Sequence, residues 1–457
     1  MYSSRSGFVK RFRAVLALAV LTPLIPLTAF AGGLSNSDQS ASTSAVSNAG
    51  SVANPENAST IFFNPAGMSR LSGTNLSFGA ILFEIDAVGR DSQTSATRAN
   101  GEPVVGDGGG DHVDTFAVPN AYLTHEVNDW LDVGVGVYVP YGLGFDYGDA
   151  FAGRFIGDEI ELVSYGVSPS FAVNSGEGFS LGGGINVLYA DAEQRNPVDF
   201  SGVEARFSLP RGTLSDGQAL LEGDDIALEF SLGMLWQATP ETTFGFSART
   251  GTEFSLKGTG TINNFPTLSA GGLAQTTVTE RIEVPITIPQ SLSFGFAHQL
   301  SDALKLLAGA TWAKWSDASA LTVVSRENTP IAFPAEQPPE EQVQSWKDTW
   351  QWRVGAIWKM SPSWSLKAGY LFDESPVTLK TRSPLTPFDD YHQVSLGAQV
   401  RDVAGDWTVD MFVARAFYEG DISIDSRPAD PVQGQTAFRS EYDVVPWTAG
   451  LQFSRQF

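Results

Sequence analysis

The sequence predicts an all-β transmembrane fold, a fourteen-stranded antiparallel outer-membrane barrel with a small N-terminal hatch in its lumen. Three observations favour this fold. Apolar and polar residues alternate in many segments, short turns and long polar loops follow one another in a regular order, and both chain ends carry signals of export and membrane assembly.

Residues 1–31 have the properties of a signal peptide. A basic stretch from Lys10 to Arg13 precedes an apolar run that ends at Ala29-Phe30-Ala31, a pattern that signal peptidase cleaves. An uncleaved membrane helix is the alternative, but two prolines interrupt the apolar run. We therefore expect the mature chain to begin near Gly32.

Downstream of this leader, no segment approaches the roughly 18 consecutive apolar residues that a membrane-spanning helix needs. A chain that crosses the membrane must then do so with strands, and a closed barrel is the sheet that satisfies every backbone hydrogen bond without water. The mean hydropathy of -0.06 agrees with this, because the hydropathies of lipid-facing and lumen-facing residues cancel.

The alternation is clearest in the run 131–139, where Leu131 and four valines share one face, while Asp132 and two glycines lie on the other. The same period of two recurs at 226–236, 350–358 and 407–413. A soluble sandwich also alternates. Tryptophans at or near the predicted strand ends favour the membrane, because amphipathic rings accumulate at its interfaces.

The connections fall into six short turns and seven long polar loops. The long loops cover about 87–114, 146–161, 193–225, 258–275, 325–345, 381–390 and 425–442. Their alternation predicts fourteen strands with both chain ends on the short-turn side. The count holds if Thr277–Leu300 is one strand and not two strands broken at Pro289.

The barrel domain is predicted to span residues 74–457. Its last strand alternates from Trp447 and ends in Phe457, and a terminal aromatic residue on such a strand is the usual signal for the barrel-assembly machinery. We therefore expect that machinery and outer-membrane lipid, including lipopolysaccharide, as partners of a monomeric protein.

Charge and composition exclude several classes of function. The chain has 28 Lys+Arg against 51 Asp+Glu, a net charge of -23, which argues against nucleic acid as a partner. There is no cysteine, so disulfides and thiolate metal sites are excluded. The four histidines lack metal-ligand spacing, and no cofactor or metal is expected. Acidic outer loops that bind divalent cations and adaptation to salt both fit the negative charge.

Residues 32–73 do not alternate and are rich in Ser, Ala, Asn and Gly. Such a segment forms either a disordered tail or a folded plug. The apolar cluster in Asn57–Leu71, with a proline suited to a helix start at Pro65, favours a packed plug or hatch.

The sequence around Asn64, Pro65 and Ala66 resembles the hatch of the long-chain fatty-acid outer-membrane channel family (FadL-type), which includes aromatic-hydrocarbon channels. Similar blocks follow in the family's order at Val139–Gly144, Pro289–Leu292, Trp346–Trp350 and Gly369–Val377. The resemblance implies a hatch inside the barrel, capture of substrate by an apolar groove between two outer loops, and sideways release through a kink in the third strand.

The kink matches Pro140, Tyr141 and Gly142. Pro140 cannot donate a ladder hydrogen bond and Gly142 permits unusual dihedral angles, so pairing should be weak there. An ordinary strand end followed by a turn is the alternative.

The resemblance also places the outer groove in loops 146–161 and 193–225. Its candidate residues are Phe151, Phe155 and Ile156, at helical spacing on one face, with Leu209 and Leu214 opposite. Exposed apolar residues in an outer loop suit hydrophobic capture, although packing of the two loops on each other would also explain them.

A fatty acid would need a cation for its carboxylate. Arg195 and Lys347 match the two basic positions of the family. Neighbouring acidic residues, Glu193 and Asp348, are alternative partners for these cations.

The leading hypothesis is therefore passive uptake of long-chain fatty acids or related hydrophobic compounds. An aromatic or alkane hydrocarbon channel of the same family is the alternative. A hydrolase and an open porin are less well supported: Gly178–Gly182 fits a nucleophile-elbow pattern but lies within an alternating strand, and no catalytic set is visible.

Overall fold

Fourteen antiparallel strands close into a barrel in the computed structural model. The structure describes residues 34–457 except 114, 270–271, 319–321, 334–345, 380 and 426–435. The predicted signal peptide, residues 1–31, lies outside the described residues.

The strands are β1 (Thr74–Gly89), β2 (Phe116–Asn128), β3 (Leu131–Tyr138 and Gly142–Asp146), β4 (Glu159–Asn174), β5 (Phe179–Val198), β6 (Gly217–Gln237), β7 (Thr242–Arg249 and Thr252–Ser269), β8 (Gly272–Ile288 and Ser291–Ser301), β9 (Leu304–Ala313), β10 (Thr349–Lys359), β11 (Trp364–Asp373), β12 (Tyr391–Val403), β13 (Trp407–Tyr418) and β14 (Ala437–Gln456). Short strands at Ser95–Thr97, Val324–Ser325 and Ile422–Asp425 extend the wall. Helical turns are α1 (Ala41–Ser44), α2 (Thr60–Phe63), α3 (Ser201–Arg206) and 3-10 turns at Pro65–Arg70, Asp91–Gln93 and Trp315–Asp317.

Each strand pairs with its neighbours in the chain, and β1 pairs with β14 from Asn75↔Gln456 to Gly89↔Tyr442, which closes the barrel. The predicted strand count is confirmed. β8 is interrupted at Pro289, but its two parts continue one strand, because one pairs with the second part of β7 and the other with the first part.

The predicted long loop at 258–275 is mostly strand and the one at 193–225 is partly strand, which corrects the sequence prediction. β5 continues to Val198 and β6 already begins at Gly217, while β7 and β8 pair through the whole region 258–275 apart from a bulge and the hairpin tip. These strands are hard to recognise in the sequence, because outside the membrane the outward face carries charged or uncharged polar residues in place of apolar ones.

The two faces of the wall differ as the alternation predicts. Large apolar side chains such as Leu232, Val354 and Leu396 are exposed on the outer face. Exposed tryptophans at the short-turn ends include Trp236 and Trp364. In the described part of the chain, no helix is long and apolar enough to cross a membrane.

The N-terminal segment, residues 34–73, lies against the inner face of this wall. Its side chains reach several strands: Ser40 donates to Gln452 of β14 (2.7 Å), the hydroxyls of Ser47 and Ser395 of β12 are 2.7 Å apart, and Ser69 donates to Ser180 of β5 (2.7 Å). Small residues suit this packing, because the inner faces of the strands approach the segment closely.

Candidate functional site

The third strand is interrupted at residues 139–141. The ladder between β2 and β3 ends at Ala121↔Val137, and the second part of β3 pairs with β4 alone among the described residues. Pro140 lies in the interruption and has no N–H to donate. Gly142 does not adopt a left-handed φ, so the unusual dihedral expected there is not the cause of the break.

The first residues of the N-terminal segment, 34–39, lie along this interruption; we call them the leading end. The Asn36 amide donates to the Pro140 carbonyl (2.8 Å), and the Gly142 amide donates to the Leu34 carbonyl (3.1 Å). The Gln39 side-chain amide donates to the Val139 carbonyl at 2.6 Å. Backbone groups that would otherwise pair with β2 are thus satisfied by the leading end.

Tyr141 connects the interruption to a buried ion pair. Its hydroxyl donates to Glu229 of β6 (2.6 Å), and Arg249 of β7 donates to the same carboxylate (2.7 Å). Arg249 also donates to the Phe62 carbonyl (2.6 Å) and lies 4.4 Å from the centre of the Phe62 ring. Sequence reasoning missed Glu229 and Arg249; the available signal was a charge on the lumen face of an alternating strand.

Asn64, Pro65 and Ala66 occupy a recess in the wall. The Asn64 amide donates to the Val52 carbonyl (2.7 Å) and to the Met234 carbonyl (2.9 Å). A Cβ placed on Gly233 would lie 2.0 Å from the Asn64 Oδ1, and one on Gly182 would lie 2.3 Å from the Ala66 nitrogen. Both glycines are therefore needed for this close approach.

A buried cation binds the middle of the N-terminal segment to the wall. Lys367 of β11 is 0% exposed, and its Nζ lies 2.6 Å from Glu56 and 2.9 Å from Asp410 of β13. The ammonium also donates to the Ser42 carbonyl at 3.1 Å. We call these contacts of Lys367, together with the Asn64 recess, the seat of the segment.

An apolar cavity of about 340 Å³ lies next to the leading end. Its walls come from the extended parts of β3 to β8 and from the loops before β4 and β12; most of the lining is apolar, and Glu193 and Glu222 also line it. Lining residues include Leu34, Leu143, Ile156, Leu162, Leu256 and Ile286. Such a surface suits the hydrocarbon part of a ligand.

A second cavity, of about 120 Å³, adjoins the interruption and has a polar wall. Pro140 and Tyr141 line it on one side, and residues 35–37 of the leading end line it on another. Hydroxyl groups and two guanidinium groups form the opposite wall, from Ser247, Arg249, Ser291, Ser293, Thr311 and Arg353.

The predicted outer groove residues do not form one surface. Phe151 is buried in an aromatic cluster, with ring centres 4.2 Å from Tyr147 and 5.2 Å from Phe438. Phe155 lies between the guanidinium groups of Arg98 (5.1 Å) and Arg154 (5.0 Å). Ile156 is the one groove residue that lines the apolar cavity.

Residues 152–156 form turns and not the helix that the spacing suggested, and this separates Phe151 from Phe155 and Ile156. Leu209 and Leu214 are half-buried in the other loop, where their backbone amides donate to Glu204. Arg98 contacts residues of both loops. Its guanidinium forms an ion pair with Asp199 (2.7 Å) and lies against the ring of Phe155.

The two predicted carboxylate contacts, whose orientation the sequence left open, line neither of the two cavities. Arg195 is exposed and forms an ion pair with Glu193. Its position on β5 has the parity of Leu181 and Ile185, which are exposed on the outer face. Lys347 is exposed, and its backbone amide donates to the Pro376 carbonyl (3.0 Å).

Two ionisable groups near the outer mouth have shifted pKa values. Burial, reinforced by the nearby carboxylates of Asp146 and Asp149, raises the pKa of Asp158 to about 7. Burial lowers the pKa of His112 to about 4, and its ring stacks on Tyr147 at 4.1 Å. The charge of the mouth therefore changes near neutral pH through Asp158.

Phe457 lies at the seam where the barrel closes. Its amide donates to the Thr74 carbonyl (2.8 Å), and its ring is exposed beside the Arg455 guanidinium. Recognition of this residue by the assembly machinery stays a prediction.

Both the sequence and the fold are similar to those of known proteins. A family model described as Outer membrane protein transport protein (OMPP1/FadL/TodX) matches residues 23–457. The long-chain fatty acid transport protein of Escherichia coli is 22% identical over 409 residues, 83% of this chain and 87% of the relative. A putative outer membrane protein of Neisseria meningitidis serogroup B is 28% identical over 377 residues, 76% of this chain and 78% of the relative.

Solved structures support the fold. The crystal structure of a Pseudomonas aeruginosa FadL homologue has a TM-score of 0.81 at 21% identity and covers 93% of this chain and 100% of that one. The Pseudomonas putida toluene transporter TodX has a TM-score of 0.65 at 16% identity and covers 95% of this chain and 100% of that one.

Proposed function

Because this chain belongs to the OMPP1/FadL/TodX family of outer membrane transport proteins, we propose that it is a channel for the passive uptake of long-chain fatty acids or related hydrophobic compounds. It is an outer-membrane protein with a closed barrel, and its family consists of transport proteins and not of enzymes. The relatives described above include a fatty acid transporter and a toluene transporter.

The observation that carries the proposal is an apolar cavity beside an interrupted barrel wall. Ile156 of the loop before β4 and Leu34 of the leading end both line this cavity. The second cavity reaches Pro140 and Tyr141, where β2 and β3 are unpaired. A hydrophobic ligand held in the apolar cavity would thus be next to an opening toward the membrane.

The N-terminal segment acts as a hatch in this proposal, and its leading end is the part that moves. Each backbone hydrogen bond to β3 contributes about 0.5–1.5 kcal/mol, so release of the leading end costs a few kcal/mol. Breaking the ion pairs of Lys367 would leave buried charges without partners, which costs about 3–5 kcal/mol. A ligand can displace the leading end while the seat holds.

Two engineered disulfides test this division, and the absence of native cysteine makes them selective. Ser35→Cys with Tyr141→Cys would join the leading end to β3, because the two residues face each other across an antiparallel bridge. Ser47→Cys with Ser395→Cys would join a part of the segment outside the leading end to β12 and is the matched control. Oleate and toluene uptake is measured in cells that depend on this channel, before and after reduction.

We expect the first disulfide to abolish uptake until it is reduced, and the second to leave uptake within about twofold of the reduced state. Uptake through an oxidised 35–141 pair would contradict movement of the leading end. Loss of uptake in both pairs would show that the whole hatch must move. If the reduced proteins transport neither compound, the proposed function fails.

A hydrocarbon channel is the alternative within the same family, and the apolar lining of the larger cavity favours neither substrate alone. Relative uptake of oleate and toluene by the reduced proteins separates the two substrates.

A further inference from the structure

Arg353 is a buried cation on the lumen face of β10. It is 7% exposed, while its neighbours Trp352 and Val354 are exposed on the outer face. The guanidinium lines the smaller cavity beside the interruption of β3. No part of the transport mechanism described above uses it.

The polar partners of Arg353 are neutral. It donates to the Thr311 hydroxyl (2.9 Å) and to the Gln351 side-chain carbonyl, and its Nε has no hydrogen-bond partner. Within the described ranges, no carboxylate lies within ion-pair distance of it. Arg249 and Lys367, the other buried lumen cations discussed, each contact a carboxylate.

Asp373 and Asp38 attract the Arg353 guanidinium at longer range than an ion pair, and the hydrogen bonds of both carboxylates go to other groups. Asp373 accepts from the Gln351 amide (2.9 Å), and Asp38 accepts from Ser44 (2.7 Å) and Asn48 (2.9 Å). A buried guanidinium without a charged partner is unfavourable unless an anion reaches it. The cavity beside Arg353 is where such an anion would bind.

The walls of the smaller cavity suit an oxyanion. The hydroxyls of Ser293 and Thr311 are 3.0 Å apart, and Ser247 and Ser291 line the same wall. Hydroxyl and guanidinium donors together satisfy the oxygen atoms of a carboxylate, and a neutral hydrocarbon would leave these donors unpaired.

The smaller and larger cavities adjoin through three stretches of chain. In each stretch, one residue lines the apolar cavity and a residue one or two positions away lines the polar cavity. The pairs, with the residue of the apolar cavity first, are Leu34 and Ser35, Leu143 and Tyr141, and Ile286 and Ile288. A molecule with a long apolar chain and one anionic end could therefore occupy both cavities at once.

We propose that Arg353 binds the carboxylate of a long-chain monocarboxylic acid whose hydrocarbon chain lies in the apolar cavity. The inference rests on the proposed function and narrows its substrate class, since it selects carboxylic acids over neutral hydrocarbons. Arg353 takes the place of Arg195 and Lys347 as the candidate carboxylate contact.

The test compares oleate with oleyl alcohol, which has the same chain and a neutral end. Binding is measured by calorimetry on full-length protein in phosphatidylcholine nanodiscs. Arg353→Met removes the charge and keeps the bulk, Arg353→Lys restores a charge, and Arg195→Met is the matched control at an exposed arginine. Folding of each variant is checked by its heat-modifiable migration on gels.

We expect Arg353→Met to weaken oleate binding by about 10- to 100-fold, the range for a charge-assisted hydrogen bond, and to leave oleyl alcohol binding nearly unchanged. Arg353→Lys should recover part of the loss, and Arg195→Met should have no effect. An equal loss for both ligands, or no loss for oleate, would overturn the inference. If wild-type protein binds neither ligand, the proposed function itself fails.

A second measurement does not depend on the variants. The carboxyl group of bound oleate, labelled with ¹³C, should titrate at lower pH than free oleate, because a nearby guanidinium stabilises the carboxylate. An unchanged or higher titration midpoint would contradict a contact with Arg353.

Discussion

The leading end and the seat of the N-terminal segment differ in how they are bound to the same barrel. The leading end contacts β3 through backbone hydrogen bonds and the Gln39 amide. The seat contains Lys367 between two carboxylates, and Asn64 in a recess that two glycines leave open. One short segment thus combines a weak attachment with a strong one.

The difference follows from what each attachment leaves behind when it breaks. Backbone groups of the leading end lie beside a cavity and can find other partners there. Separation of Lys367 from its carboxylates leaves charges in a protein interior, which is far more costly than a lost neutral hydrogen bond. Movement is therefore expected at residues 34–39. Variants at the seat and at the leading end each test this difference in attachment.

The largest effect is expected for Lys367→Met. Glu56 and Asp410 would remain buried without their cation, and the free energy of unfolding should fall by about 3–5 kcal/mol. Urea-induced unfolding in lipid vesicles, followed by tryptophan fluorescence, measures this. Lys305→Met is the control, because Lys305 donates to the Asn54 side-chain carbonyl (2.9 Å) and acts on Glu56 only at longer range, so this variant should lose about 1 kcal/mol. If the free energy of unfolding fell by a similar small amount in both variants, the seat would not be the stronger attachment.

Gly233→Ala should have an intermediate effect. The new methyl group would lie 2.0 Å from the Asn64 Oδ1, and such overpacking costs about 1–3 kcal/mol. Trypsin cleavage at Arg70, which follows Asn64 closely, reports displacement of the segment. Gly309→Ala serves as the control, since the nearest atom to its Cβ would be 3.3 Å away. Equal cleavage of the two variants would mean that the recess does not hold Asn64.

Gln39→Leu should have the smallest effect on unfolding, about 1 kcal/mol, because it removes only neutral hydrogen bonds, to Val139 and Asn36. Amide hydrogen exchange of peptides that cover 34–38 and 139–146 should nevertheless become faster. Gln299→Leu, near the end of β8, is the matched control. Equal acceleration of exchange in the leading end and in peptides around Glu56 and Asn64 would mean that the leading end and the seat are one unit.

Periodicity and turn lengths were sufficient to predict the barrel. A period of two needs only neighbouring residues, and the six short turns and the closing strand depend on local chemistry. The strand extensions at 193–225 and 258–275 were taken for loops, because charged residues in the first and uncharged polar residues in the second replaced the apolar outer face that marks a membrane strand.

The candidate site was only partly predictable. Asn64, Pro65 and Ala66 were recognised from their resemblance to the hatch of the family, and the structure places them in close contact with Gly182 and Gly233. The orientation of Arg195 was not predictable, because a shift of one residue along a strand reverses the face of a side chain, and Arg195 points outward. The outer groove residues lie in loops, where spacing does not determine which surface a side chain joins.

The sequence by itself determined the closed barrel, its strand count and a packed N-terminal segment. Only the tertiary structure decided which charges inside the barrel meet. Glu229 joins Tyr141 and Arg249, Lys367 joins two carboxylates, and Arg353 is left without one. These residues are distant in the chain, and strand register together with barrel closure sets their distances, which local patterns do not contain.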